Sequence, residues 1–219
     1  MRAVAVALAL LAFEGACTDP QASRKATPTS EAAAHAVAGI GSSSLFGMGS
    51  ATAAFLTVAV DSRGSPWWAR NEGAPGAGSA ECLERWRSLV RARDFGWLVL
   101  MCGLNDLRGG APAQLAWVNL QTLLDEALAD GLRVVPMTLQ PFKGDLAWSA
   151  DRQAQLLALN GSILQYCAAK RLRCVDVYAV LNDPGNDGAQ QPRYDSGDHL
   201  HFNQAGHDVI GGLLGAALR

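Results

Sequence analysis

Apolar residues fall along the chain in short runs that stop at small or turn-forming residues. Ala36-Val37-Ala38-Gly39-Ile40 ends at Gly41-Ser42-Ser43-Ser44 and reads as a buried strand entering a turn. Trp67-Trp68-Ala69-Arg70 is a second short strand, closed by the turn-rich stretch Asn71 to Gly78. Trp97 to Cys102 is continuously apolar, as expected of a strand covered on both faces, and stops at Gly103. Arg133 to Leu139 is a fourth strand, in which Pro136 fits only at a bulge or strand end. Arg173 to Tyr178 is the fifth.

Between these runs the apolar period changes to that of a helix. Residues 50–61 form a long Ala-rich run and read as helix. In 79–93, Cys82, Leu83, Trp86, Leu89 and Val90 recur at helical spacing. Pro112 suits the first turn of the next helix, whose expected buried stripe is Leu120, Leu123, Leu124, Ala127 and Leu128, with Gly131 as its stop. Residues 151–170 are helical, with Leu156, Leu157, Asn160, Ile163, Leu164 and Cys167 expected on one side. A last helix covers 203–218, with Asn203 as N-cap. Strand–helix alternation of this kind predicts an α/β domain: a five-stranded parallel sheet, right-handed crossovers and helices on both faces. In such sheets the ligand sits beyond the carboxyl ends of the strands, which directs attention to the loops holding Ser43, Gly76 and Asn105.

Composition narrows the choice. Hydrophobic residues at 49 % and charged residues at 17 % exclude general disorder and allow a sizeable core in the 219-residue chain. A formal net charge of −2 gives no long-range field for phosphates, which argues against nucleic acid as a partner. No stretch reaches the ~20 apolar residues that a membrane span needs. The start of the chain is different in kind. Met1-Arg2 precedes the apolar run Ala3 to Phe13, too short to span and matched to an export signal. Small residues before Cys17 resemble the bacterial lipoprotein cleavage box, in which that cysteine is lipidated and anchors the protein to a membrane; Glu14 departs from the pattern. Residues 1–17 are therefore read as an export segment, 18–34 as a polar tether and 35–219 as the folded domain. The expected location is a bacterial periplasm or cell envelope, or the outside of the cell. Export permits disulfides. Cys82, Cys102, Cys167 and Cys174 allow three pairings; Cys167–Cys174, across a helix-to-strand junction, is the favoured pair, and four buried thiols are the alternative.

Four short motifs follow in order: Gly41-Ser42-Ser43-Ser44-Leu45-Phe46-Gly47 after strand one, Asn71-Glu72-Gly73-Ala74-Pro75-Gly76 after strand two, Gly103-Leu104-Asn105-Asp106 after strand three, and Asp195-Ser196-Gly197-Asp198-His199-Leu200-His201 before the final helix. In these motifs, and over about residues 36–219, the chain resembles the SGNH (GDSL) hydrolase superfamily. The resemblance implies a three-layer α/β/α, flavodoxin-like fold and hydrolysis of esters, thioesters or carbohydrate O-acetyl groups, without a cofactor. Gly41-Ser42-Ser43 stands where the family has Gly-Asp-Ser, which makes Ser43 the nucleophile and replaces the loop-supporting Asp by Ser42. Gly76 and Asn105 fall on the second and third blocks, and Asp198 and His201 on Asp-x-x-His. Phe202 replaces the usual Pro after that His and alters the wall beside it.

The residues support these roles on their own chemistry. A serine hydroxyl near pH 7 is a poor nucleophile and needs a base within hydrogen-bond reach. His35 lies at the tether junction and reads as solvated, and His207, inside the final helix, reads as a packing or surface residue. The pair His199 and His201 remains. Asp198 adjoins His199, and neighbouring side chains point apart; its i, i+3 spacing to His201 lets it fix that imidazole's tautomer, as an orienting carboxylate must. The oxyanion of a tetrahedral intermediate needs donors. The Ser43 and Gly76 backbone N–H groups and the Asn105 side-chain amide supply three, while Asp106 braces its loop.

Competing signals are weak. Leu45 stands where a Gly-x-Ser-x-Gly elbow needs Gly, and no Walker loop, complete Gly-x-Gly-x-x-Gly, His-Glu-x-x-His or Cys-x-x-Cys occurs. Asn160-Gly161-Ser162 is a sequon inside a predicted helix and reads as accidental. Trp67-Trp68 reads as packing and not as a sugar platform. Asp195, Asp198, His199 and His201 admit a metal-cluster reading, although no metal is expected. The substrate expected is a small ester or an acetylated saccharide, cleaved through an acyl-enzyme. An O-acyltransferase acting on cell-surface glycans, and an inactive surface-binding lipoprotein of the same fold, are the alternatives. Oligomeric state is not legible.

Overall fold

A computed structural model describes residues 31–219 of the chain. The expected export segment and most of the expected tether lie outside them; the tether's last residues, Glu31–Ala34, form one helical turn, α1. Four parallel strands follow: β1 (Ala36–Gly41), β2 (Trp68–Gly73), β3 (Trp97–Met101) and β4 (Arg133–Pro136), in the order β2-β1-β3-β4. β1 and β3 are buried at every residue, which is why their sequences lack polar alternation. β2 forms one edge, and its outward residues are partly exposed. Its Trp67–Trp68 start is packing: Trp67 meets Trp97 and His35, and Trp68 meets Phe95. His35, read as solvated, is thus half-buried against Trp67.

The fifth strand is corrected to a single bridge. Only Val175 pairs, with Met137, through Thr138 N–H to Val175 O (3.1 Å) and Val175 N–H to Pro136 O (3.2 Å). The next residue, Asp176, accepts from Ala179 N–H and from the Thr138 hydroxyl, capping a short helix that begins at Val177. An N-cap satisfies helical donors that a strand would leave unmet, and it overrides the alternation of Arg173 to Tyr178.

The connecting helices are α2 (Ser43–Phe46), α3 (Phe55–Arg63), α4 (Ser79–Arg85, extended by a π turn over Trp86–Val90), α5 (Leu104–Arg108), α6 (Ala113–Ala129), α7 (Ala150–Lys170), α8 (Val177–Leu181) and α9 (Gln204–Ala217). Helices α3 and α9 pack together as one layer, and α4, α6 and α7 as another, with the sheet between them. Asn203 caps α9 by accepting from Gly206 N–H. In α7 the buried face is Leu156, Leu159, Asn160, Ile163, Tyr166 and Cys167, whereas the expected Leu157 and Leu164 point outward. Among the described residues no helix is long and apolar enough to cross a membrane.

Candidate active site

β1 delivers Ser43. Its Gly41 pairs with Met101 at the carboxyl edge, and the chain then turns into α2 with Ser43 as its first residue. His201 arrives from the other end of the sequence. The segment Tyr194 to Asn203 doubles back on itself, with Asn203 N–H donating to Tyr194 O (2.7 Å) and Ser196 N–H to His201 O (3.0 Å). The Ser43 Oγ and the His201 Nε2 lie 2.8 Å apart across a sequence separation of 158. On the far side of the ring, Nδ1 is 2.6 Å from Asp198 Oδ2.

Asp198 is built as an acceptor. Its Oδ1 takes the backbone N–H groups of Leu200 (2.9 Å) and His201 (2.8 Å) and the Ser196 hydroxyl (2.9 Å). Burial alone raises its pKa, but the hydrogen bonds from His201, Leu200 and Ser196 outweigh it and hold the carboxyl well below the usual range. An ionised Asp198 accepts Nδ1–H, so His201 presents a lone pair at Nε2 toward the serine hydroxyl. His201 is itself buried, over the core residue Phe202, which packs on Phe55 and His207.

Gln140, which the sequence did not single out, and His207, read there as a packing or surface residue, hold this arm. Gln140, just past β4 and 2 % exposed, donates to the Ser44 hydroxyl (2.8 Å) and to Leu200 O (3.0 Å), tying the serine turn to the histidine turn. His207 is fully buried in α9. Its Nδ1 accepts from Phe55 N–H and its Nε2 donates to Met48 O, both at 3.1 Å, fixing the loop behind α2. Burial pushes its pKa below the usual histidine value and keeps it neutral.

The two other residues expected as oxyanion donors stand on the loops after β2 and β3. Gly76 has φ +84°, a left-handed turn that leaves its backbone exposed. Asn105 donates from Nδ2 to Ala77 O (3.0 Å), which sets its amide beside that turn, and its Oδ1 accepts from Arg108 Nη1 (3.3 Å). Arg108 in turn grips Asp145 with two bonds of 3.0 Å. Burial raises the Asp145 pKa, but the Arg108 guanidinium and the Ala147 N–H bring it below the usual carboxylate range. Asp106 takes the Ser79 N–H and hydroxyl, both at 2.7 Å, bracing the start of α4. The disulfide Cys82–Cys102 links α4 to the residue before Gly103, and a second one joins Cys167 to Cys174.

Asp195 and His199 form a separate pair, with Nδ1 2.6 Å from Oδ2. The four residues of the metal reading therefore divide into two His–Asp pairs, and among the described residues no group of three or more metal-ligating side chains is gathered. Ser43, Asp198 and His201 are thus brought together, while Gly76 and Asn105 stand on the loops after β2 and β3, at the same carboxyl edge of the sheet.

Compared with known proteins, residues 37–209 match the model of the GDSL-like lipase/acylhydrolase family. No curated protein sequence matches the chain. Among solved structures, it is similar to a GDSL-like lipase from Bacteroides thetaiotaomicron (TM-score 0.71, 21 % identity, 84 % of this chain and 88 % of that one). It is also similar to a lipase/acylhydrolase from Enterococcus faecalis (TM-score 0.65, 19 % identity, 83 % and 94 %). A third is a catalytic mutant of an acetylxylan esterase from Geobacillus stearothermophilus (TM-score 0.67, 16 % identity, 84 % and 94 %).

Proposed function

The chain belongs to the GDSL-like lipase/acylhydrolase family, and on that premise we propose that it is a serine hydrolase of carboxylic esters or carbohydrate O-acetyl groups. The observation that carries this reading is the unbroken chain from Ser43 Oγ through the His201 ring to Asp198. In the proposed cycle, His201 Nε2 takes the Ser43 proton as the oxygen attacks the acyl carbon. The Ser43 and Gly76 backbone N–H groups and the second Asn105 amide hydrogen, not used by Ala77, receive the oxyanion. His201 passes its proton to the leaving alcohol, which departs and leaves an acyl-Ser43 ester. The same ring then activates water, which releases the acid and restores Ser43. Departures at Ser42 and Phe202 motivate an inactive binding protein, but the 2.8 Å contact at Ser43 favours catalysis.

The test is turnover of p-nitrophenyl acetate by Ser43→Ala. A fall in kcat on the order of 10⁴–10⁶ is expected, and Asp198→Asn, which spoils the tautomer, should lose about 10⁴. Turnover at the unmodified rate by correctly folded Ser43→Ala would remove the mechanism. We further place the protein in the cell envelope or outside the cell. The two disulfides support an oxidising compartment, and lipidation of Cys17 would anchor the domain.

A further inference from the structure

At the end of the sheet opposite Ser43, a cavity of about 340 Å³ opens where α6, α7 and α9 stop. Trp97 and Arg133, the first residues of β3 and β4, lie along it. The chain just past α7 supplies Arg171 and Arg173, and the chain past α9 supplies Arg219. Leu128, Leu132 and Leu172 add an apolar lining, and no Asp or Glu lines it.

Four arginines gathered without a carboxylate are a local imbalance in a chain whose net charge is −2. Elsewhere Arg85, Arg87, Arg91 and Arg108 each meet a carboxylate. Here Arg133 stacks on the Trp97 ring (5.1 Å to its centre), and Arg173 donates to Ala217 O (3.2 Å). The side chains of Arg171 and Arg219 hold no hydrogen bond or ion pair among the described residues, and both residues are exposed. Part of the positive charge answers the helix ends, since each macrodipole leaves about half a negative charge at a C-terminus. Three such ends do not balance four guanidinium groups. The sum stays positive even where a terminal carboxylate follows Arg219.

The lining says what anion fits. A guanidinium fork matches phosphate oxygens with two parallel hydrogen bonds. Arginine stems lie along apolar surface while their heads stay in water. Leucines beside an arginine rim therefore suit an amphiphile better than a free ion. The path of the chain points the same way. Trp97 Nε1 donates to Ala34 O (3.1 Å), and a Cβ at Gly96 would lie 2.4 Å from Ala33 O, so the described chain enters beside this cavity. Ala34 is 17 positions from Cys17, a reach of at most about 60 Å. A membrane holding Cys17 would keep these arginines near its surface. We propose that this end of the domain docks on an anionic phospholipid bilayer, with the four arginines taking headgroup phosphates. The inference goes beyond the hydrolase reading and does not depend on it. β1 spans six residues, roughly 20 Å, between this end and the serine turn. A docked domain thus turns Ser43 and His201 away from the lipid.

The test uses the full chain carrying Cys17→Ser, which removes the proposed lipidation site. It is sedimented with phosphatidylcholine vesicles made with or without phosphatidylglycerol. Tighter partition onto the phosphatidylglycerol vesicles is expected, weakening as salt rises. Arg171→Gln together with Arg219→Gln breaks no side-chain hydrogen bond among the described residues, so Tm and p-nitrophenyl acetate turnover should hold. Partition should weaken about fivefold for each charge lost, ~25-fold for the pair. Lys143→Gln together with Arg193→Gln, the same change of net charge on the His201 side of the molecule, should weaken it little. Phenylglyoxal modification read by peptide mass needs no arginine variant: vesicles should shield Arg171 and Arg219 and leave Arg193 reactive. Equal partition onto both vesicles, equal losses for the two pairs, or shielding of Arg193 alone overturns the inference. So does release of the protein by millimolar inorganic phosphate, which would mark a site for a small free anion. Turnover of p-nitrophenyl acetate that survives Ser43→Ala would remove the hydrolase reading and leave this one standing.

Discussion

Asn105 shows how a single amide is set for the role proposed for it. Its oxygen is taken by Arg108 and one of its hydrogens by Ala77, so the remaining hydrogen has one direction left to it. Asn105→Ala should lower kcat on p-nitrophenyl acetate by about 10²–10³. Arg108→Met, which keeps Asn105 but frees its orientation, should cost roughly tenfold in kcat with little change in KM; equal losses in kcat for the two variants would show that Arg108 acts by some other route. His207 gives a pH signature. Burial lowers its folded pKa, so between the ordinary histidine value near 6.5 and that lower value the unfolded chain binds more protons than the folded one. The stability it contributes is complete above that range and is lost as pH falls through it. Tm should decline from pH 7.5 to pH 5, and His207→Gln should flatten the decline. Asp198, with its pKa also lowered, acts in the same direction but only below the ordinary carboxylate range. Ser43, Asp198 and His201 were legible because short motifs carry them. Gln140 and Arg108 were not, because each is defined by partners that only folding brings near, and a lone glutamine or arginine carries no local pattern.

At the level of elements, α3 and α9 meet through glycines. A Cβ at Gly211 would lie 2.5 Å from Val58 Cβ, and one at Gly215 would lie 3.0 Å from Ala59 O, whereas Gly212 faces open space. Gly212→Ala should therefore stabilise by roughly 0.5–1 kcal/mol through helix propensity. Gly211→Ala should destabilise by about 1–3 kcal/mol through overpacking, despite the same gain. Urea unfolding of both variants decides it, and shifts of the same sign would refute the packing argument. Most elements were readable from period and punctuation: β1 and β3 as apolar runs, α6 between Pro112 and Gly131, α9 from its Asn203 cap. The failures have local causes. Residues 50–54 were read as helix on alanine content, but Gln204 Oε1 accepts the N–H groups of Ala51, Thr52 and Ala53, so α3 starts only at Phe55. In α7, Leu157 and Leu164 each sit one residue beyond the buried stripe, a rotation of about 100° that hydrophobicity alone does not reveal. The fifth strand lost to the Asp176 cap.

Across the whole molecule, the site divides into two halves held by different means. The serine and histidine turns are tied by hydrogen bonds through Gln140 and His207, while the walls bearing Gly76 and Asn105 are tied by the Cys82–Cys102 disulfide across 20 residues. Replacing both of these cysteines by alanine should cost about 3 kcal/mol of stability. It should also lower kcat on p-nitrophenyl acetate more than the corresponding pair of substitutions at Cys167 and Cys174, which sit away from the site. Equal effects on kcat would show that the first bridge serves stability alone. The contact between the first strand's turn and the last helix's approach has another outcome. On the proposed mechanism, the attacking oxygen precedes its proton acceptor by 158 residues. A fragment that stops short of His201 would therefore be chemically mute, and chain order alone would withhold the proposed activity until that turn has docked.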